Sequence, residues 1–290
     1  MYTPRRVLFL NLAGRSAVLA CALSAPSAWA TTACPGIFAG ASPNGGGGGG
    51  GAAICTVDGS GNVTCDLDRN GSSGAVSNTL AYFVLTATGG TEFLAYGFDG
   101  LGGKFCSNSL AMAAADANCA RELTVYGSVR PNELKLQDPV QGWHMNCNIN
   151  TVFGEDNEDD VTTTSATDTQ NYVFTNDAVD VVHGYAGFEW VEAGAGGDYI
   201  WTGAGNDWVY GEEGNDKIKT EDGADYAYGG EGDDLVCGGG GTDHLYGEAG
   251  DDILFGGTGT DYHDGGADFD YCENDNATYC NALTVTTCPW

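Results

Sequence analysis

Beyond residue 175 the chain keeps a nine-residue beat of apolar positions: Val182, Val191, Ile200, Val209, Ile218, Ala227, Val236, Leu245 and Leu254. That period fits neither a 3.6-residue helical stripe nor long two-residue strand alternation. It predicts a chain that bends back at fixed intervals, with short strands between turns and one inward apolar side chain per strand. Two units then make a coil of about 18 residues, stacked on the next at a strand spacing of about 4.8 Å. Upstream, TVDGSGNVTC, AYFVLTAT, ELTVYG and ELKLQD are strand-like runs separated by Gly, Asn, Asp and Pro. They predict a small β domain over residues 53–153. GEDNEDDVTTTSATDTQ is acidic, then Thr/Ser-rich, and predicts a linker over 154–174. Seven consecutive glycines, 45–51, predict a flexible linker over 31–52.

Written in nines, the periodic segment 175–273 contains AGAGGDYIW, TGAGNDWVY, GEEGNDKIK, TEDGADYAY, GGEGDDLVC, GGGGTDHLY, GEAGDDILF and GGTGTDYHD. The sixth place is acidic throughout: Glu189, Asp198, Asp207, Asp216, Asp225, Asp234, Asp243, Asp252, Asp261 and Asp270. The fourth is glycine at Gly187, Gly196, Gly205, Gly214, Gly223, Gly232, Gly241, Gly250 and Gly259. An eroded unit, TNDAVDVVH with Asp180, precedes them in register.

These units resemble the RTX (repeats-in-toxin, hemolysin-type) nonapeptide G-G-x-G-x-D-x-U-x. The resemblance implies an all-β fold, a right-handed parallel β-roll, preceded here by the small disulfide-rich β domain. It also implies several calcium ions held between turns of neighbouring coils by sixth-place aspartates and turn carbonyls. Carried onto this chain, Asp198, Asp216, Asp234, Asp252 and Asp270 line one edge. Asp207, Asp225, Asp243 and Asp261 line the other, with Glu189 at its start. The fourth-place glycines from Gly196 to Gly259 complete the expected metal-binding set. Departures mark both ends as worn caps with weak or absent metal sites: Asp180 and Glu189 sit in glycine-poor units, His263 and Cys272 replace aliphatics, and Asp268 replaces a fourth-place glycine. A leader and a cysteine-bearing tail, in place of the uncleaved C-terminal signal many such proteins use, suggest a different export route.

Charge sharpens the picture. The chain carries 40 acidic and 10 basic residues, a net of −30, which excludes nucleic acid and anionic lipid as natural partners. Carboxylates stacked about 4.8 Å apart repel by ~1 kcal/mol per pair even in water. Calcium, which takes six to eight oxygens, reverses that sign, so binding becomes folding.

Arg5, Arg6 and Arg15, an apolar stretch from Ala17 to Leu23, and Ala28-Trp29-Ala30 predict a signal peptide over 1–30 with cleavage before Thr31. Val18-Leu19-Ala20-Cys21 is a poor lipoprotein box and Arg5-Arg6 a poor twin-arginine motif. No later run is long and apolar enough for a spanning helix. The expected location is extracellular, secreted or cell-surface associated. Ten cysteines follow the leader: Cys34, Cys55, Cys65, Cys106, Cys119 and Cys147 early, then Cys237, Cys272, Cys280 and Cys288. Disulfides are expected, each group closing its own, with 274–290 as a braced cap.

Other chemistry is sparse. Asp66, Asp68, Asn70 and Gly71 match half of an EF-hand loop, but Ser77 replaces its glutamate, which favours an Asx-rich turn. Trp190, Trp208, Tyr226, His244 and Tyr262, beside Tyr210, Tyr228 and Tyr246, predict an aromatic face that either binds a glycan or protein partner or braces neighbouring rungs. No catalytic motif is present, and His144 with Cys147 is a weak zinc pair. The reading is a non-enzymatic, exported calcium-binding protein. Three roles stay open: a surface or matrix scaffold or adhesin, a toxin or hydrolase active in 53–153, and a glycan-binding module.

Overall fold

The computed structural model describes residues 55–57, 62–66, 81–87, 92–98, 104–106, 110–111, 122–127, 132–138, 143–144, 149–164, 169–273, 277–282 and 288–289. The leader, the glycine run, Cys147 and the Asp66–Ser77 turn beyond Asp66 lie outside these residues. Among the described residues there is no helix. The described residues form two large sheets, one of 11 strands and one of 14, parallel throughout the repeats.

One apolar column lies along the inner face of each sheet, because every eighth-place side chain points inward. In the first sheet Cys65, Val125, Val152, Val173, Val191, Val209, Ala227, Leu245 and His263 are successive register partners. In the second the column is Leu134, Val161, Val182, Ile200, Ile218, Val236, Leu254 and Cys272. All are at most 1% exposed. Upstream Val63, Leu123 and Leu136 widen the core, but within the repeats it is little more than these two columns, so coil-to-coil hydrogen bonding carries an unusual share of the cohesion. From Trp208–Glu213 to Tyr262–Ala267 the strands are accordingly six or seven residues long. Leu235–Gly241 continues into the turn, where Gly239 and Gly241 pair with Gly257 and Gly259 of the next coil.

The roll also starts earlier than the repeats. Val125 pairs with Val152, 27 residues on; Val152 with Val173, 21 on; from Val173 to His263 every step is then 18. The expected linker over 154–174 is therefore corrected: Asp159–Thr162 and Gln170–Asp177 are ladder strands in opposite sheets. Its hydrophilic composition misled, since a strand in this fold needs one inward apolar residue, supplied here by Val161 and Val173. Farther upstream the predicted strands are present at Val63–Asp66, Ala81–Ala87, Glu122–Tyr126 and Asn132–Lys135. Ala81–Ala87 pairs in parallel with Asn132–Lys135 and antiparallel with Glu92–Phe98, so a hairpin extends the second sheet.

At the far end, Cys272 bonds Cys280 and Cys237 bonds Cys288. The four late cysteines thus close their own bridges. Cys237 and Phe255, in the outward ninth place, are only 2% and 4% exposed.

Candidate metal centre

Each sixth-place residue ends a turn and begins a strand, which turns its side chain into the coil stack. Asp198, Asp207, Asp216, Asp225, Asp234, Asp243, Asp252, Asp261 and Asp270 are all buried. Their Oδ1 atoms form two ladders, each accepting the N–H of the sixth-place residue one coil earlier. Along one edge Asp180, Asp198, Asp216, Asp234 and Asp252 donate to Asp198, Asp216, Asp234, Asp252 and Asp270 at 2.7–3.0 Å. Along the other, Glu189, Asp207, Asp225 and Asp243 donate to Asp207, Asp225, Asp243 and Asp261 at 2.8–3.1 Å. The sixth-place carboxylates thus stand in two columns, one along each edge of the coil stack.

The second carboxylate oxygen has no such partner. Oδ2 of every one of these aspartates is buried without a hydrogen-bond donor. Desolvation accordingly raises their pKa values: Asp234 to about 8, Asp198 and Asp225 to about 7, and Asp216, Asp243 and Asp252 to about 6. Burial also pushes Asp207 and Glu189 up, Glu189 further because Asp207 lies beside it. No basic side chain relieves this charge within 175–273. Lys217 and Lys219, the two present, face outward, Lys217 over the Tyr199 ring at 4.8 Å and Lys219 on Glu221 at 3.5 Å. Neutralisation is left to protons or small cations.

Around Oδ2 the surroundings suit a hard cation. A Cβ built on Gly247 would collide with Asp252 Oδ2 and with the Gly265 carbonyl of the next coil, and Gly211 and Gly229 are enclosed in the same way. On the opposite edge Gly238 meets Asp243 Oδ2 and the Gly256 carbonyl. Carboxylate and carbonyl oxygens thus converge over bare glycine. The fourth place adds more oxygens: a Cβ on Gly214, whose φ is 138°, would strike the Gly196 carbonyl. Gly196, Gly205, Gly223, Gly232, Gly241, Gly250 and Gly259 abut the fourth-place carbonyl one coil earlier in the same manner. Among the described residues no three His, Cys, Asp or Glu side chains converge on one point. A site here would take one carboxylate per turn and complete its shell from carbonyls, a donor set that fits calcium.

Gly247→Ala tests this crowding. An added methyl in a filled site costs about 1–3 kcal/mol, and here it displaces the carboxylate. The calcium midpoint followed by circular dichroism should rise; an unchanged midpoint would show that the first-place glycines do not shape the sites.

The sequence did not reveal several contributors. On one edge the acid column passes into amides: Asn150 Nδ2 donates to Asn171 Oδ1 at 2.8 Å, and Asn171 Nδ2 to Glu189 Oε1 at 2.9 Å. On the other, Asp159 N–H donates to Asp180 Oδ1 at 2.7 Å and carries the carboxylates farther. A second ladder runs through the fifth place, where Asn215, Asp233 and Asp251 accept from the N–H of Asp233, Asp251 and Phe269 at 3.0–3.1 Å. A recurring Asn or Asp at that place was the available signal. Asp268 takes φ 81° where repeats carry glycine, and His263 is fully buried.

The aromatic series forms stacks. Trp190, Trp208, Tyr226 and His244 follow one another at 5.6, 4.5 and 4.6 Å with planes within 22°, and Tyr210, Tyr228 and Tyr246 at 4.8 and 4.6 Å. Ring faces therefore lie against neighbouring rings along the stack.

No curated protein and no solved structure matches the chain. The family model described as RTX calcium-binding nonapeptide repeat (4 copies) matches residues 183–218, 210–245 and 238–272. With the 18-residue coils and paired carboxylate ladders already described, the match identifies residues 183–272 as RTX calcium-binding nonapeptide repeats.

Proposed function

We propose that this is a secreted, non-enzymatic calcium-binding scaffold or adhesin whose repeat array becomes a rigid rod when it takes up several calcium ions. The observation that carries the reading is the pair of ladders of buried carboxylates, each with one oxygen lacking a donor and no basic counter-charge. Asp198, Asp216, Asp234, Asp252 and Asp270 on one edge, and Asp207, Asp225, Asp243 and Asp261 on the other, would hold the ions together with first- and fourth-place turn carbonyls. Bound calcium would neutralise the stacked carboxylates and tie each coil to the next. The chain's own part is to preset Oδ1 on the backbone ladder so that Oδ2 alone remains free to ligate.

The aromatic stacks support a bracing role over glycan binding, because a sugar ring packs on an exposed aromatic face and these faces are largely taken by each other. An export leader and an array suited to the millimolar calcium outside cells together favour the secreted location.

The test uses the full mature chain. It should show calcium-dependent retention on the producing cell surface or its matrix, with no turnover on hydrolase panels and no membrane lysis. Turnover or lysis that maps to residues 53–153 would replace the scaffold reading with the toxin or hydrolase alternative.

A further inference from the structure

The acidic segment upstream of the recognised repeats has the geometry of a repeat without its sequence. Aligned by coil register, GEDNEDDVT (154–162) places Gly154 first, Asp159 sixth and Val161 eighth, and Val161 sits in the inner column beside Leu134 and Val182. Its backbone follows the repeat turns. Glu155 in the second place has φ 78°, against 78° for Glu212 and 79° for Glu248 at the same place. A Cβ on Gly154 would collide with Asp159 Oδ2, as one on Gly211 would with Asp216 Oδ2. The Gly154 N–H bonds the Phe174 carbonyl at 2.8 Å, which seats this turn on turn 175–180.

That neighbouring turn supplies an independent sign. Asp180 is fully buried; its Oδ1 accepts the Asp159 N–H at 2.7 Å, yet no donor reaches its Oδ2. The Thr175 hydroxyl of the same turn lies beside the Asp180 carboxylate, but its one proton is directed at the Ala193 carbonyl at 3.0 Å. A buried carboxylate oxygen therefore stands in the coil stack beside a second buried carboxylate, Asp159, which is 3% exposed. On the opposite edge of the same coils the Asn150–Asn171–Glu189 chain puts two amides and one carboxylate where this edge puts the carboxylates of Asp159 and Asp180.

We propose that turns 154–159 and 175–180 form an additional calcium site, with Asp159 and Asp180 as its carboxylate ligands, so that one edge of the roll binds metal beyond the recognised repeats. The proposal rests on the calcium reading of the array. The site is glycine-poor: Glu155 and Asp156 stand where repeats often carry glycine or a small residue, and Thr175 fills the first place of the second turn. It should bind more weakly than the central sites and load last.

The experiment uses the full mature chain with calcium chloride as the probe. Native mass spectrometry at saturating calcium should count fewer ions in Asp159→Asn than in wild type, because the amide presents N–H donors where an oxygen must ligate. Asp234→Asn serves as the comparator within the repeats. In wild type, calcium should also slow amide exchange across 155–160, at higher concentration than across 211–216 and 229–234. This readout stands even if the variant folds poorly. A full ion count in Asp159→Asn alongside a reduced one in Asp234→Asn, or unchanged exchange at 155–160 while the repeat turns become protected, overturns the proposal and leaves the array reading intact. A wild-type chain that binds no calcium removes both.

Discussion

Chelating calcium at neutral pH should unfold the repeat coils from Val191 to Cys272, seen as loss of β circular dichroism and of amide-exchange protection across the ladder. Each coil contributes two inward side chains, such as Ile200 and Val209, and two buried carboxylates, such as Asp198 and Asp207. Fully burying an aliphatic side chain is worth about 1.5–3 kcal/mol, whereas leaving a charged group buried without a partner costs several kcal/mol even after relaxation. The carboxylates win, and the metal-free coil is unstable while they are ionised. Refolding on calcium addition should be cooperative, because each ion bridges two coils. Its midpoint is expected at roughly 0.1–1 mM, as in extracellular calcium modules, and magnesium should substitute poorly because it insists on octahedral geometry. A chain that keeps full protection in excess EDTA at neutral pH would show that the ladders fold without metal.

Acid should rescue the fold in the absence of calcium. In the folded, metal-free chain burial holds Asp234 at about 8, Asp198 and Asp225 at about 7, and Asp216, Asp243 and Asp252 at about 6, against the ordinary aspartate value of 3.8. The folded state therefore binds more protons than the unfolded state across that interval, and folding takes protons up. The stabilisation from these groups is complete below the unfolded value near 3.8. It is lost as pH rises through the folded values, between about 6 and 8. In EDTA the β signal should accordingly be present near pH 4.5 and absent near pH 8, by roughly the interval over which these groups titrate. With calcium the slope reverses, since protons then compete for the same oxygens. Equal disorder at both pH values in EDTA would mean that something other than buried charge opposes folding.

How much of this was legible in the sequence depends on periodicity. The sixth- and eighth-place columns could be read directly because every coil from Val173 to His263 advances by 18 residues, which keeps each residue type in its own column. Steps of 27 and 21 residues hide the earlier coils, although Val125, Val152 and Val173 occupy the same inner column. Asn150 and Asn171 were invisible for a different reason. An amide can continue a carboxylate ladder only when stacking brings it to hydrogen-bonding distance, and nothing in the local sequence announces that. The paired fifth-place Asn and Asp ladder was present in the repeats, but the stronger sixth-place signal overshadowed it.

The Cys237–Cys288 bridge closes a chain segment with a sequence separation of 51. Stripped of metal, the last coils would still be a closed loop rather than a free tail, which reduces the entropy of the disordered ensemble by about 4 kcal/mol in the loop-closure treatment. A chain that passes repeatedly between calcium-rich and calcium-poor surroundings would thus reassemble its final rungs from a tethered start, and reducing that single bond would slow the return far more than it would disturb the finished rod.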